Sequence, residues 1–305
     1  MGRTTHRLAP LRFAAGGLAL FAAAAVHADD QPVDDLLADF KAHASLALGA
    51  SLSLASSSTS TSRPALQPHP LWAFQYGRIR FSSGGAAAVL GIVQDPRGPG
   101  ASAELLSSDQ LRLGVALRID RGRDSSAVDG LDGLPDVPAT LRLRGYASYA
   151  LTKRWTAAAS VSQDILGRGG GTVATGDIGY NAPLTPASEW YAGAGLAWSD
   201  WRNMNSYYGV SAEAAATSHY PAYAPGAGLT NLHVGVGFTA ALTSRWILFG
   251  SAGATRLVGY AADSPLTTRP LSASAAIGLA YRWGAKYNDL GTVLLPVPAK
   301  PAPAP

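Results

Sequence analysis

The residues able to do acid–base or metal chemistry are few and scattered. The chain has six histidines and no cysteine, so disulfides and thiol chemistry are absent from its repertoire. His6 and His27 lie in an N-terminal leader, and His43 and His69 have no acid close by. His219 falls in a Tyr-rich stretch beyond Glu213, and His233 stands in "LHVGVGFTAAL". His233 reads as a hydrogen-bonded member of a polar interior rather than as a base. Serines are numerous but no G-x-S-x-G elbow contains one. No His or Glu spacing suits a metal. "GRGGGTV", Gly167 to Val173, lacks the Lys-Ser/Thr of a phosphate loop and reads as a tight connection. The expectation is a protein that is not an enzyme and uses no cofactor or metal.

Arginines are the other candidates. In "LRLGVALRID", Arg112, Arg118 and Asp120 share one face, and in "LRLRGYASYAL" Arg142 and Arg144 do the same. Asp120 and Asp177 are their candidate partners. Such a set either pairs into a network that fills a narrow barrel or forms a basic ladder that selects anions in a pore. About ten strands enclose little more than their own side chains fill, which favours the filled version.

The elements that position these residues alternate with period two. Opposite the arginines run Leu111, Leu113, Val115, Leu117 and Ile119, then Leu141, Leu143, Ala147, Tyr149 and Leu151. Leu46, Leu48, Leu52 and Leu54 continue the pattern, as do Leu232, Val234, Val236 and Phe238, and finally Leu271 through Ile277, Leu279, Tyr281 and Trp283. The second face carries Gly, Ser, Thr and Arg rather than Lys and Glu. Charged residues make up only 14% of the chain, against about 25% in an ordinary soluble domain. Strands of about ten residues with one apolar and one small or polar face are the pattern of a transmembrane β-barrel. A soluble sandwich would set Lys and Glu on its wet face.

The leader "MGRTTHRLAPLR", the apolar run "FAAGGLALFAAAAV" and "VHA" read as a secretory signal over residues 1–28, cleaved after Ala28. The run is shorter than the roughly 20 residues a spanning helix needs. Arg3, Arg7 and Arg12 leave with it, so 21 of the 24 basic residues remain against 20 acidic ones. A net charge near +1 gives no argument for nucleic acid.

One five-residue word occurs twice: Leu151-Thr-Lys-Arg-Trp155 and Leu242-Thr-Ser-Arg-Trp246. Each reads as a short turn that delivers an interfacial Trp to the returning strand, with an Arg that reaches head groups or water. With Trp190 and Trp283, Trp155 and Trp246 would form an aromatic girdle on the short-turn side. Trp72, Trp198 and Trp201 fall at the opposite strand ends.

Alternation and turns together place strands at 45–55, 72–81, 111–120, 141–151, 155–164, 172–182, 190–198, 229–242, 246–256 and 271–283. An all-β, antiparallel up-and-down barrel of about ten strands results, with both termini periplasmic and the long connections outside. "GGAAAVLGIV" and "SYYGVSAEA" stay unplaced, and counting both would make twelve. A periplasmic segment at 29–44 precedes the barrel at 45–283. A Pro-rich tail follows at 284–305 and reads as an extended, hydrated arm.

The ordered set "RPALQPHPLWAFQYGRIRFSSGGAAAVLG", "RGRDSS", "LDGLPDVPATLRLRGYASYAL", "YYGVSAEAA", "PAYAPGAGL", "ADSPL" and "IGLAYRW" resembles the MipA/OmpV family of outer-membrane proteins over about Ser45 to Trp283. The resemblance implies a barrel in the outer membrane of a Gram-negative bacterium, in contact with its lipid. It also implies, from the best-known member, a scaffold in peptidoglycan remodelling that joins a lytic transglycosylase to a bifunctional penicillin-binding protein. Other members are associated with adhesion, osmotic response or antibiotic susceptibility. A narrow channel and an outer-loop receptor built on "NSYYGVS" and "HYPAYAPG" are the alternative functions. The chain departs from the usual barrel in running 22 residues past Trp283.

Overall fold

The computed structural model describes residues 44–59, 64, 66–83, 99–128 and 130–283. The leader, the segment at 29–43, the tail and "GGAAAVLGIV" all lie outside the described residues.

Among the described residues, twelve strands close into one antiparallel barrel in chain order. They are β1 (Ala44–Ala55), β2 (Leu66–Tyr76), β3 (Ile79–Ser82), β4 (Gly100–Ser107), β5 (Leu111–Asp120) and β6 (Thr140–Ala150). The circuit continues through β7 (Trp155–Asp164), β8 (Thr172–Thr185), β9 (Ser188–Ser199), β10 (Gly228–Ala241), β11 (Trp246–Leu257) and β12 (Leu271–Trp283). β1 pairs with β12 from Leu46↔Trp283 to Ala55↔Ser274, which removes every sheet edge.

Twelve arises differently from the way the unplaced segments suggest. The expected strand 72–81 is a hairpin: Gly77 takes φ 54° in the tight turn between β2 and β3. A glycine there relieves the left-handed backbone that the turn demands. β4 was not expected, because "GASAELLS" is short and carries a bulge between Glu104 and Leu106 that breaks its alternation. "SYYGVSAEA" is not a strand at all. It contributes to helices α1 (Trp201–Tyr208) and α2 (Ala212–Thr217), each started by a side-chain cap, Asp200 on the Asn203 N–H and Ser211 on the Ala214 N–H.

The barrel is inverted relative to a soluble one. Leu46, Leu48, Leu52, Leu117, Ile119, Leu143, Val161, Ile178, Leu196, Val234, Val236 and Ile277 are exposed on its outer face. The inward positions beside them hold Ser51, Arg142, Arg144 and Ser160, all buried. An apolar belt on every side is tolerable only against hydrocarbon, the arrangement of a membrane barrel. Short connections at 77–78, 108–110, 151–154, 186–187 and 242–245 gather at one end. Long connections, among them 121–139, 200–227 and 258–270, gather at the other.

Inside, glycines are matched to neighbouring rings. A Cβ on Gly114 would collide with Tyr146, one on Gly237 with Tyr191, and one on Gly278 with Phe249. Gly114↔Tyr146 and Gly237↔Tyr191 are register partners, so each ring lies flat over the bare backbone opposite it. Leu71, Phe249 and Ala280 form a small buried cluster on the seam side of the lumen.

Candidate functional site

Arg142 is the anchor of the long-loop end. Its Nε donates to Ser162 Oγ at 2.7 Å, and its Nη1 to the Gly170 carbonyl at 2.7 Å. Nη2 reaches the carbonyls of Ser162 and Gly171, each at 3.1 Å. Asp120 Oδ2 lies 3.7 Å away, and both side chains are almost completely buried. A guanidinium's five fixed donors suit this work, since one cation can serve carbonyls of the strand and of the glycine connection at once.

Asp164 completes the arrangement from the next strand. Its carboxylate accepts from Thr140 Oγ1 and from the N–H groups of Leu166, Gly167 and Gly170. Gly167, Gly169 and Gly171 all have positive φ, so "GRGGGTV" is the tight connection its composition suggests. Its carbonyls also bind the third layer: Asn203 Nδ2 donates to Gly170 at 2.8 Å and Ser206 Oγ to Gly169 at 2.7 Å. Tyr207 Oη donates to Asp120 Oδ1 at 3.2 Å, and Arg123 Nη1 donates to the Tyr207 carbonyl at 3.0 Å. Burial pulls the Arg123 guanidinium below its ordinary value, with Tyr207 and Asp136 partly offsetting.

Above this layer the long connections build a core of their own. Leu131, Leu134, Val210, Ala214 and Leu266 are buried together, with Val128, Ala215, Tyr220 and Tyr223 packed around them. A second cluster joins Met204, Leu257 and Ala261 to Tyr208 and Ala262, the last three turning through α3 (Gly259–Ala262) and the end of α1. Ser264 Oγ donates to the Tyr208 carbonyl at 2.6 Å, and Tyr223 Oη to the Tyr260 carbonyl at 2.9 Å. Three connections far apart in sequence are thereby packed into one cap. Tyr208, Tyr220 and Tyr223 belong to it and are half-buried by it.

The residues singled out in the sequence separate into three groups. Arg142 and Asp120 meet beneath the cap. Arg118 is the register partner of Arg142, and Arg118 and Arg144, with Glu104 and Arg80, lie within electrostatic reach of Tyr146; Arg112 joins the same inward wall, near Arg80. Asp177 does not join the arginines. It faces His233, Nε2 to Oδ1 2.8 Å, while His233 Nδ1 lies 3.2 Å from Asn231 Oδ1. The pair spans β9 at Gly195, the register partner of both residues. His69 lies in β2, with Nε2 2.9 Å from Ser53 Oγ.

At the tight-turn end the repeated word folds the same way twice. Thr152 Oγ1 accepts from the N–H groups of Arg154 and Trp155, at 3.2 and 3.0 Å. Thr243 Oγ1 accepts from those of Arg245 and Trp246 at the same two distances. Trp155 meets Tyr180 edge to face at 5.1 Å, and Trp246 meets Tyr281 at 4.9 Å. Trp190 and Trp283 extend the two groups, 5.5 Å from Tyr180 and 4.4 Å from Tyr281. Tyr180 was not singled out in the sequence, and Tyr281 only as a member of the last strand's apolar face; they lie 25 and 35 residues beyond the tryptophans, and only strand pairing brings them together. Trp72 is not at the far end. It shares a register row with Leu48, Tyr281 and Trp246.

Several solved barrels are similar in outline. The NanC porin covers 77% of this chain and 98% of its own at 10% identity and a TM-score of 0.40. OmpT of Vibrio cholerae covers 79% and 97%, with 8% identity and a TM-score of 0.36. The translocator domain of the autotransporter NalP from Neisseria meningitidis covers 78% and 88%, with 10% identity and a TM-score of 0.39. No sequence among curated proteins matches the chain. The family model of the MltA-interacting protein MipA matches residues 44–283, the whole barrel with its cap. The chain is thus an outer-membrane β-barrel and belongs to the MipA family.

Proposed function

We propose that this protein is a non-enzymatic scaffold of the outer membrane that holds a lytic transglycosylase near a bifunctional penicillin-binding protein during peptidoglycan remodelling. The observation that carries the reading is the family match across residues 44–283, whose name specifies interaction with MltA. The cap supports it: the long-loop end is bound to itself through Arg142, Asp164 and the buried leucines. The tight-turn end, with the adjoining chain ends, is then the side left for enzymes of the periplasm. A signal over residues 1–28, cleaved on export, would direct the chain there.

The test is a crosslinked pull-down of the tagged full chain from intact envelopes. Recovery of a lytic transglycosylase together with a penicillin-binding protein, above the level seen with an unrelated barrel, supports the scaffold. Recovery of neither overturns it. A channel is the second reading, favoured by the basic wall of Arg112, Arg118, Arg142 and Arg144; conductance in planar bilayers that falls when Arg118 and Arg144 are changed to Gln would support it in place of the scaffold.

A further inference from the structure

The two copies of the Leu-Thr-x-Arg-Trp word are more alike in space than a shared turn requires. In both, the Leu and Thr N–H groups donate to the Trp carbonyl, Leu151 and Leu242 each at 2.9 Å. In both, the Arg carbonyl accepts from the strand beyond, Arg154 from Asn181 and Arg245 from Arg282. In both, the Trp is the register partner of a Tyr, Trp155↔Tyr180 and Trp246↔Tyr281. And in both the guanidinium donates to that tyrosine's hydroxyl, Arg154 Nη1 to Tyr180 Oη at 3.2 Å and Arg245 Nη1 to Tyr281 Oη at 2.8 Å.

The last contact is informative because a turn does not need it. Arg245 is exposed, and an exposed arginine ordinarily samples many rotamers. Here one N–H of the fork is tied to a phenol whose ring is packed edge-on against the Trp, so the remaining donors are presented from a fixed place. That place is the boundary between the apolar belt and water, with indole rings on the lipid side. Lys153 adds a second cation to the first copy. Arg282 holds the second turn from within, its Nη2 3.4 Å from the Ser244 carbonyl. A planar cation with free paired donors, set above an aromatic shelf, matches a phosphate oxygen pair whose attached chains run down along the indoles.

We propose that Arg154–Tyr180–Trp155 and Arg245–Tyr281–Trp246 are two equivalent binding sites for the phosphate of an anionic phospholipid in the membrane leaflet at the tight-turn end. The guanidinium binds the phosphate, the tyrosine positions the guanidinium, and the tryptophan with its neighbour, Trp190 or Trp283, packs on the glycerol and upper acyl carbons. The sites lie four strands apart, so each takes its own lipid.

The experiment is native mass spectrometry of the full chain released from nanodiscs that contain phosphatidylglycerol and phosphatidylcholine. The wild type is expected to retain two phosphatidylglycerol molecules in preference to phosphatidylcholine. Arg154→Gln and Arg245→Gln should each retain one, and the double variant none above background. Tyr281→Phe keeps the ring but loses the hydroxyl, and should weaken retention at its own site by about threefold to tenfold while leaving the other site unchanged. Heat-modifiable migration on gels confirms that each variant is a folded barrel. Equal retention of the two lipids by the wild type overturns the proposal, since a tryptophan girdle alone would hold both. So does undiminished phosphatidylglycerol in the double variant, or displacement of the lipid by inorganic phosphate, which would mark a site for the free ion.

Discussion

His233 meets Asp177 directly over Gly195, with Nε2 2.8 Å from Oδ1 and the glycine the register partner of both. A Cβ on Gly195 would stand 2.6 Å from His233 Nε2 and still closer to Asp177. Gly195→Ala must therefore push the pair apart or move the strand, costing about 1–3 kcal/mol of barrel stability. Gly145→Ala is the control: nothing lies within 4 Å of its Cβ position, and the change should stay within about 0.5 kcal/mol. Urea unfolding of the two variants in lipid vesicles checks the contrast.

Arg142 satisfies carbonyls on both the barrel wall and the glycine connection. Arg142→Met keeps much of the volume but takes one donor from each of the Gly170 and Gly171 carbonyls and the buried cation from beside Asp120, leaving Gly170 only Asn203, Gly171 only the Asp164 N–H and Asp120 without its counter-charge. The expected loss is about 3 kcal/mol, greater than for an exposed arginine such as Arg154. Limited proteolysis should cut first within 165–171.

Leu131 and Leu266 are fully buried in the cap. Their replacement by Ala should cost about 2–5 kcal/mol each. Because the cap has a core separate from the lumen, the loss should appear locally. Amide exchange is expected to quicken in 121–139 and 200–227, while strands β7 to β12 keep their protection.

Phe249 lies over Gly278 and packs on Leu71 and Ala280. Phe249→Ala should lower the unfolding free energy by about 3–5 kcal/mol. Pairing it with Gly278→Ala tests the fit, for the added methyl occupies part of the vacated space. The double variant should be more stable than the sum of the two single losses, read from a double-mutant cycle.

The barrel was legible because lipid imposes a local rule, and the family because its ordered words stand in the sequence. Every backbone group must be paired and every second side chain must face hydrocarbon, so the pattern is written into consecutive residues such as Leu111 to Asp120. The pattern failed where a bulge or a glycine turn interrupts it. β4 loses its alternation at Leu105, and Gly77 folds into two strands what alternation read as one.

The cap was not legible. Its core takes Leu131 and Leu134 from one connection, Val210 and Ala214 from another and Leu266 from a third. No periodicity within any one of them announces the others, since loops pack by contacts between distant residues. Asp177 was paired with arginines on paper because both are inward and opposite in charge. Its partner is instead settled by register, which sets His233 across Gly195.

What the sequence by itself determined is the barrel, the facing of the strands it placed and the tight turns at 151–154 and 242–245. These depend on nearest neighbours and on the solvent each face meets. Only the tertiary structure decided the cap, the Asp177–His233 pair and the tyrosines beneath Arg154 and Arg245. Each joins residues that closure of the barrel brings together, and the energy of such contacts depends on a register and a packing that no single segment contains.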